Sequence, residues 1–155
     1  MKTKALILAV GLITSAALAQ RAANFSGSWQ LSSEKSKNIG MMAQMKMALT
    51  IEQTDSSLDI TTHTTFQGRD EDNKIHYDLT GKPVGNEMPM TGPSDTVSKW
   101  NGSKLVTTWT GESAVAGGPK VVRTETRSLS ADGKTMTVES VRGSNPPVVM
   151  VFDKK

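Results

Sequence analysis

From Phe25 to the C-terminus, β-branched and aromatic residues alternate with polar ones in short segments, and turn-forming residues cut each segment from the next. That is the period of a pleated strand with one buried face. Strands are expected at 26–32, 47–53, 58–66, 74–79, 95–100, 103–111, 120–129, 134–142 and 147–153. All six prolines (83, 89, 93, 119, 146 and 147) fall between these segments or at a segment start, where no ladder donor is lost. No stretch longer than a turn or two carries the apolar period of an amphipathic helix. Residues 80–94 read as a Gly/Pro-rich loop, and neither an internal repeat nor a domain boundary is evident.

Two dipeptides, Asn101-Gly102 and Asp132-Gly133, tolerate the positive φ that a two-residue hairpin needs. Residues flanking such a turn face each other and point to one side of the ribbon. Trp100 then shares a face with Ser103, Leu105, Thr107 and Trp109, the better core candidate, while Val97, Lys99, Lys104, Val106 and Thr110 take the other. A run of hairpins must dispose of its two edges, and closure does so more completely than a sandwich. The expectation is an all-β chain forming a single antiparallel up-and-down β-barrel of about eight to ten strands.

The first residues have a different character. Lys2 and Lys4 precede an apolar stretch, Ala5 to Ile13, and Ala17-Leu18-Ala19 is a small-x-small cleavage signal. That order is a secretory signal peptide over residues 1–19, cut before Gln20, with the barrel domain over 20–155. The apolar core is too short for a stable membrane anchor, and no cysteine sits at the cut for lipid attachment. The expected location is periplasmic or secreted. Removing nineteen of 155 residues leaves 136, and losing the two lysines lowers the net charge from +3 to +1. The basic balance therefore belongs partly to the leader, and a nucleic-acid partner is not expected.

The absence of cysteine excludes disulfides, thiolate metal cages and a cysteine nucleophile, and two histidines are too few for a three-histidine zinc site.

The segment Asn24-Phe25-Ser26-Gly27-Ser28-Trp29 resembles the first-strand Gly-x-Trp motif of the lipocalins and fatty-acid-binding proteins, the calycin superfamily. Lys99-Trp100-Asn101-Gly102-Ser103-Lys104-Leu105 is similar to a hairpin of the fatty-acid-binding proteins, and Val149 to Lys154 to their final strand. The resemblance implies a lipocalin-like barrel with an apolar cavity for small lipid-like ligands, in which Gly27 and Trp29 close the floor. Two departures stand out. The Arg-x-Tyr pair that holds a ligand carboxylate in that family is replaced by Met150 and Phe152, and residues 33–46 leave room for one short helix or an Ω-loop in place of a two-helix lid.

Arg123, Glu125 and Arg127 alternate along one segment and share a face with Val121, Leu129, Met136 and Val138. Turned inward, they would pair with one another and with an acidic ligand group. Turned outward, with Val122, Thr124, Thr126 and Ser128 inside, they would be solvated charges, and that arrangement follows the general rule for charged residues. The run Met41-Met42-Ala43-Gln44-Met45-Lys46-Met47 suits either soft-metal Cu(I) binding or an adaptable apolar gate over the barrel mouth. His63 and His76 fall opposite the local apolar residues and read as exposed. Arg69 to Asn73 reads as a charged hairpin tip, lacking the glycine and distant glutamate of a calcium loop. Gly133-Lys134-Thr135 lacks the upstream glycine of a phosphate loop, and Gly111 to Val115 lacks the second glycine of a nucleophile elbow.

No catalytic constellation, metal site or cofactor motif emerges. The expected function is non-catalytic binding of a small hydrophobic or amphipathic molecule by a monomer. The expected lining is Trp100, Leu105, Trp109, Val121, Leu129, Met136, Val138, Met150 and Phe152, with Arg123 and Arg127 as polar anchors and Met41, Met42 and Met45 at the mouth. The alternatives are a filled barrel acting as a protein-interaction module and periplasmic Cu(I) binding through Met41–Met47.

Overall fold

The computed structural model describes residues 22–88, 92–113 and 115–155; the expected leader and its expected cleavage point lie outside them, as do residues 89–91. Ten antiparallel strands follow in chain order: β1 (Gly27–Leu31), β2 (Lys46–Gln53), β3 (Ser57–Phe66), β4 (Arg69–Asp78), β5 (Val84–Met88), β6 (Gly92–Asn101), β7 (Lys104–Gly111), β8 (Val121–Leu129), β9 (Thr135–Arg142) and β10 (Val148–Lys154). A short 3₁₀ turn, Gly40–Gln44, stands between β1 and β2. Chain-adjacent strands pair with one another except β4 with β5, β1 also pairs with β10, and β4 and β5 end the single sheet. The sheet therefore curls into a barrel closed everywhere except at one seam.

At that seam a side chain stands in for the ladder. The Asn86 amide accepts from the His76 backbone N–H (3.1 Å) and donates to the His76 carbonyl (2.8 Å) and to Thr96 Oγ1 (2.9 Å). A primary amide carries a donor and an acceptor side by side, as a peptide does, so one residue ties β4 to β5 where no ladder forms.

The ten strands fall within the expected eight to ten, but one strand and two turns lie where none was expected. Part of the anticipated loop 80–94 forms β5 and the start of β6. Its polar, Gly/Pro-bracketed sequence hides a strand whose outer edge needs no apolar alternation. Arg69 to Asn73 is strand, not tip, because Gln67 (φ +50°) and Gly68 (φ +75°) make the turn. Both central residues are left-handed, as a type I′ turn requires, and glutamine is not a residue that signals one. In the β6–β7 hairpin the loop is Gly102-Ser103, with only Gly102 at positive φ (+61°). Trp100 therefore faces Leu105 and not Ser103, a slip of two residues that leaves the inward face unchanged. The β8–β9 register matches expectation, Leu129 facing Met136, although the loop spans 131–134 and is tied by Gly133 N–H donating to the Ser130 carbonyl.

Inward residues are graded in exposure along the strands. Near the end where β1 begins they are packed: Phe25, Trp29, Leu58, Tyr77, Leu105, Met136 and Phe152 are all 2% exposed or less. Toward the opposite end they open. Leu58 and Ile60 are buried but Thr62, Thr64 and Phe66 half-exposed; Phe152 is buried but Met150 and Val148 are not; Val138 is buried but Ser140 is not. The inward face is thus tightly packed at the end where β1 begins and more exposed toward the other on β3, β9 and β10, whereas on β6 and β7 Thr96 and Trp109 stay buried.

Candidate functional site

Trp29 anchors the floor. Its indole N–H donates to the Phe25 carbonyl (2.9 Å), and the Lys154 ammonium lies 5.2 Å from its ring centroid. Gly27 (φ +131°) passes so close that a Cβ there would stand 3.1 Å from Lys154 Cε. Phe25 stacks parallel on Trp100 at 6.1 Å, and Gln53 clasps the segment before β1, accepting from Phe25 N–H and donating to the Ala23 carbonyl.

Above this floor the interior turns polar. Ser98, Thr107, Glu125 and Ser140 lie opposite one another on β6, β7, β8 and β9. The Ser98 and Thr107 hydroxyls are 2.9 Å apart. Glu125 and Arg127 are buried, so the solvated arrangement of β8 does not hold. Their mutual bond, Arg127 Nη2 donating to Glu125 Oε1 at 2.8 Å, is what makes burial tolerable. The guanidinium of Arg127 also lies 5.7 Å from the Tyr77 ring centroid and 6.0 Å from that of Phe25. Burial first, and then the Glu125 charge, hold the Tyr77 hydroxyl well above the usual phenol range, so it stays neutral.

Arg123 is an inward arginine that Glu125 does not pair with, and Arg142 stands opposite it on β9. Arg123 is half-buried, with its guanidinium 4.6 Å from the Trp109 ring centroid, and Trp109 meets Tyr77 edge-on at 5.8 Å. Among the described residues, three buried N–H groups have no acceptor: Trp109 Nε1, Arg123 Nε and Arg127 Nε. Orphaned buried donors are rare and costly, about 1–3 kcal/mol each, so three in one region mark a place where an acceptor belongs.

The anticipated lining residues differ in burial. Leu105, Met136, Val138 and Phe152 are fully packed in the floor, and Trp100 and Leu129 pack against it from its lower edge. Trp109 is also buried in the core and Met150 packs against it, Arg123 and Val121 are half-buried, and Arg127 is buried beside Glu125. At the mouth Met41 is 65% exposed, and Met42 and Met45 are half-exposed. His63 and His76 lie outside the barrel, bonded to Asp72 (2.7 Å) and Asp59 (2.6 Å) across the β3–β4 ladder. The sequence reading placed Thr107 on the inward face without giving it a role and missed Thr96 and Ser98; the Trp100–Leu105 parity, extended two and four residues along β6, would have placed Ser98 and Thr96 inside.

No protein-family model matches the chain, and no curated relative does. Solved structures do. A REP1-NXSQ fatty acid transporter superposes with a TM-score of 0.64 at 16% identity, covering 84% of this chain and 95% of that one. A Schistosoma mansoni fatty acid binding protein in complex with arachidonic acid gives 0.64 at 18%, covering 84% and 96%. Human cRBP IV gives 0.64 at 17%, covering 86% and 99%. The fold is thus similar to that of these proteins, a nearly closed antiparallel barrel, and the similarity extends over nearly the whole of those chains.

Proposed function

We propose that the chain is an exported, non-catalytic binding protein whose barrel holds a small amphipathic molecule, with the molecule's polar group on Trp109 and Arg123. The observation that carries this reading is the pair of buried, unpartnered donors, Trp109 Nε1 and Arg123 Nε, set side by side on neighbouring inward positions of β7 and β8. Export rests on the leader sequence, with Lys2 and Lys4 before an apolar core and a small-x-small cut. The likeness to fatty-acid and retinoid binding proteins supports a hydrophobic component in the ligand.

Arg123→Met tests the anchor, since methionine keeps the aliphatic stem and removes the charge. Charge-assisted hydrogen bonds are worth about 1.5–3 kcal/mol. Calorimetric titration is expected to show affinity for octanoate falling about ten- to a hundredfold, with octanol nearly unaffected. Equal losses for both probes, or none for either, would place the polar group elsewhere.

A further inference from the structure

We infer that Met42, Met45 and Met47 form a thioether site for one soft monovalent metal ion, Cu(I), where the 3₁₀ turn runs into β2. The site is separate from the barrel interior and does not depend on the binding function proposed above.

Four of the nine methionines (41, 42, 45 and 47) fall in this short run, and the fold treats them unequally. Met42, Met45 and Met47 are half-buried, whereas Met41, Ala43, Gln44 and Lys46 are exposed. The backbone explains that spacing. Met45 N–H donates to the Met42 carbonyl (3.1 Å), closing the last turn of the 3₁₀ segment Gly40–Gln44. Side chains three apart in such a turn eclipse one another, so Met42 and Met45 share a side, about 6 Å apart along the axis. Met45 is already extended (φ −94°, ψ 141°) and leads straight into β2. Alternation then puts Met47 on the same side as Met45, about 7 Å further on. A turn that hands over to a strand thus gathers residues that neither a helix nor a strand alone would bring together.

Donor chemistry names the ion. The trio offers three neutral thioethers and no imidazole, carboxylate or thiolate, a set that suits Cu(I) and gives Zn(II), Ca(II) or Mg(II) little to hold. The chain has no cysteine to compete for a soft ion. Both histidines lie outside the barrel, already bonded to Asp72 and Asp59. Methionine is unbranched, with three rotatable bonds, so sulfurs spaced 6–7 Å along the backbone can converge on one ion. Lys46, exposed on the opposite side of the strand, keeps its charge away from them.

Purified protein carrying ¹³C in its methionine methyl groups, titrated anaerobically with Cu(I) supplied as its acetonitrile complex, tests the site. At one equivalent the methyl resonances of Met42, Met45 and Met47 should shift together, while that of the fully buried Met136 stays in place. Zn(II) at the same concentration should move none of them. Replacing any one of the three by leucine keeps its size and apolar character. Each replacement should weaken Cu(I) binding about tenfold or more against a competing chelator, since even residues behind a metal ligand commonly matter that much. Resonances that stay fixed, or that move independently of one another, would overturn the inference. Undiminished affinity in all three leucine variants would overturn it equally.

Discussion

Arg127→Met is expected to destabilise the barrel by about 3–5 kcal/mol, because it strands the Glu125 carboxylate, 8% exposed, without its partner 2.8 Å away. Arg127 is joined to the floor by more than charge, with Tyr77 and Phe25 within 6.0 Å of its guanidinium, and methionine preserves much of the volume there. The loss is therefore electrostatic and not a cavity effect. The double variant Glu125→Leu with Arg127→Met separates the two. Apolar replacement of both members of a buried pair is commonly neutral or stabilising, so the double variant should regain most of what the single one loses. Denaturant melts of the three proteins check this. A double variant as unstable as the single would mean that the pair's geometry, not its charge balance, holds the floor.

Trp29→Ala is expected to cost about 3–5 kcal/mol, the usual range for removing a large aromatic from a packed core. Trp29 is fully buried, and its loss also frees the Phe25 carbonyl. Trp29→Phe keeps most of the volume and loses only the N–H bond, so about 1–3 kcal/mol is expected for the carbonyl left unmet. Thermal unfolding should rank the alanine variant lowest, with the phenylalanine variant between it and the parent. A phenylalanine variant as stable as the parent would show that water replaces the indole N–H at the floor.

The architecture was legible because its signals are local. Recurrence of Leu58 and Ile60 on one face and of Val97 and Lys99 on the other, together with glycine at 102 and 133, fixes strand faces without knowledge of distant partners. The β8–β9 register followed from Asp132-Gly133 for the same reason. What escaped the sequence depends on neighbours far along the chain. β5 exists because Gly85 to Glu87 meets β6 and because Asn86 reaches His76 across the seam, and no local pattern in those residues marks a strand. The inward turn of Arg127 offends the general rule that charges stay in water, and only the Glu125 bond together with the Tyr77 and Phe25 rings makes it tolerable. The grading of the inward face from packed to more exposed was not legible either. It depends on how deeply Phe25 and Trp100, seventy-five residues apart, stack together at the floor.

The chain holds three tryptophans, and their indole N–H groups give three separate proton resonances in a ¹⁵N-labelled sample. Trp29 already donates to a backbone carbonyl, whereas the buried Trp109 N–H donates to nothing among the described residues. Titrating octanoate while recording these resonances tests binding inside the barrel most directly. The Trp109 resonance should move downfield as its N–H gains an acceptor, while that of Trp29 stays in place. If Trp109 stays fixed at saturation, or Trp29 is the one that moves, the ligand does not sit on Arg123 and Trp109.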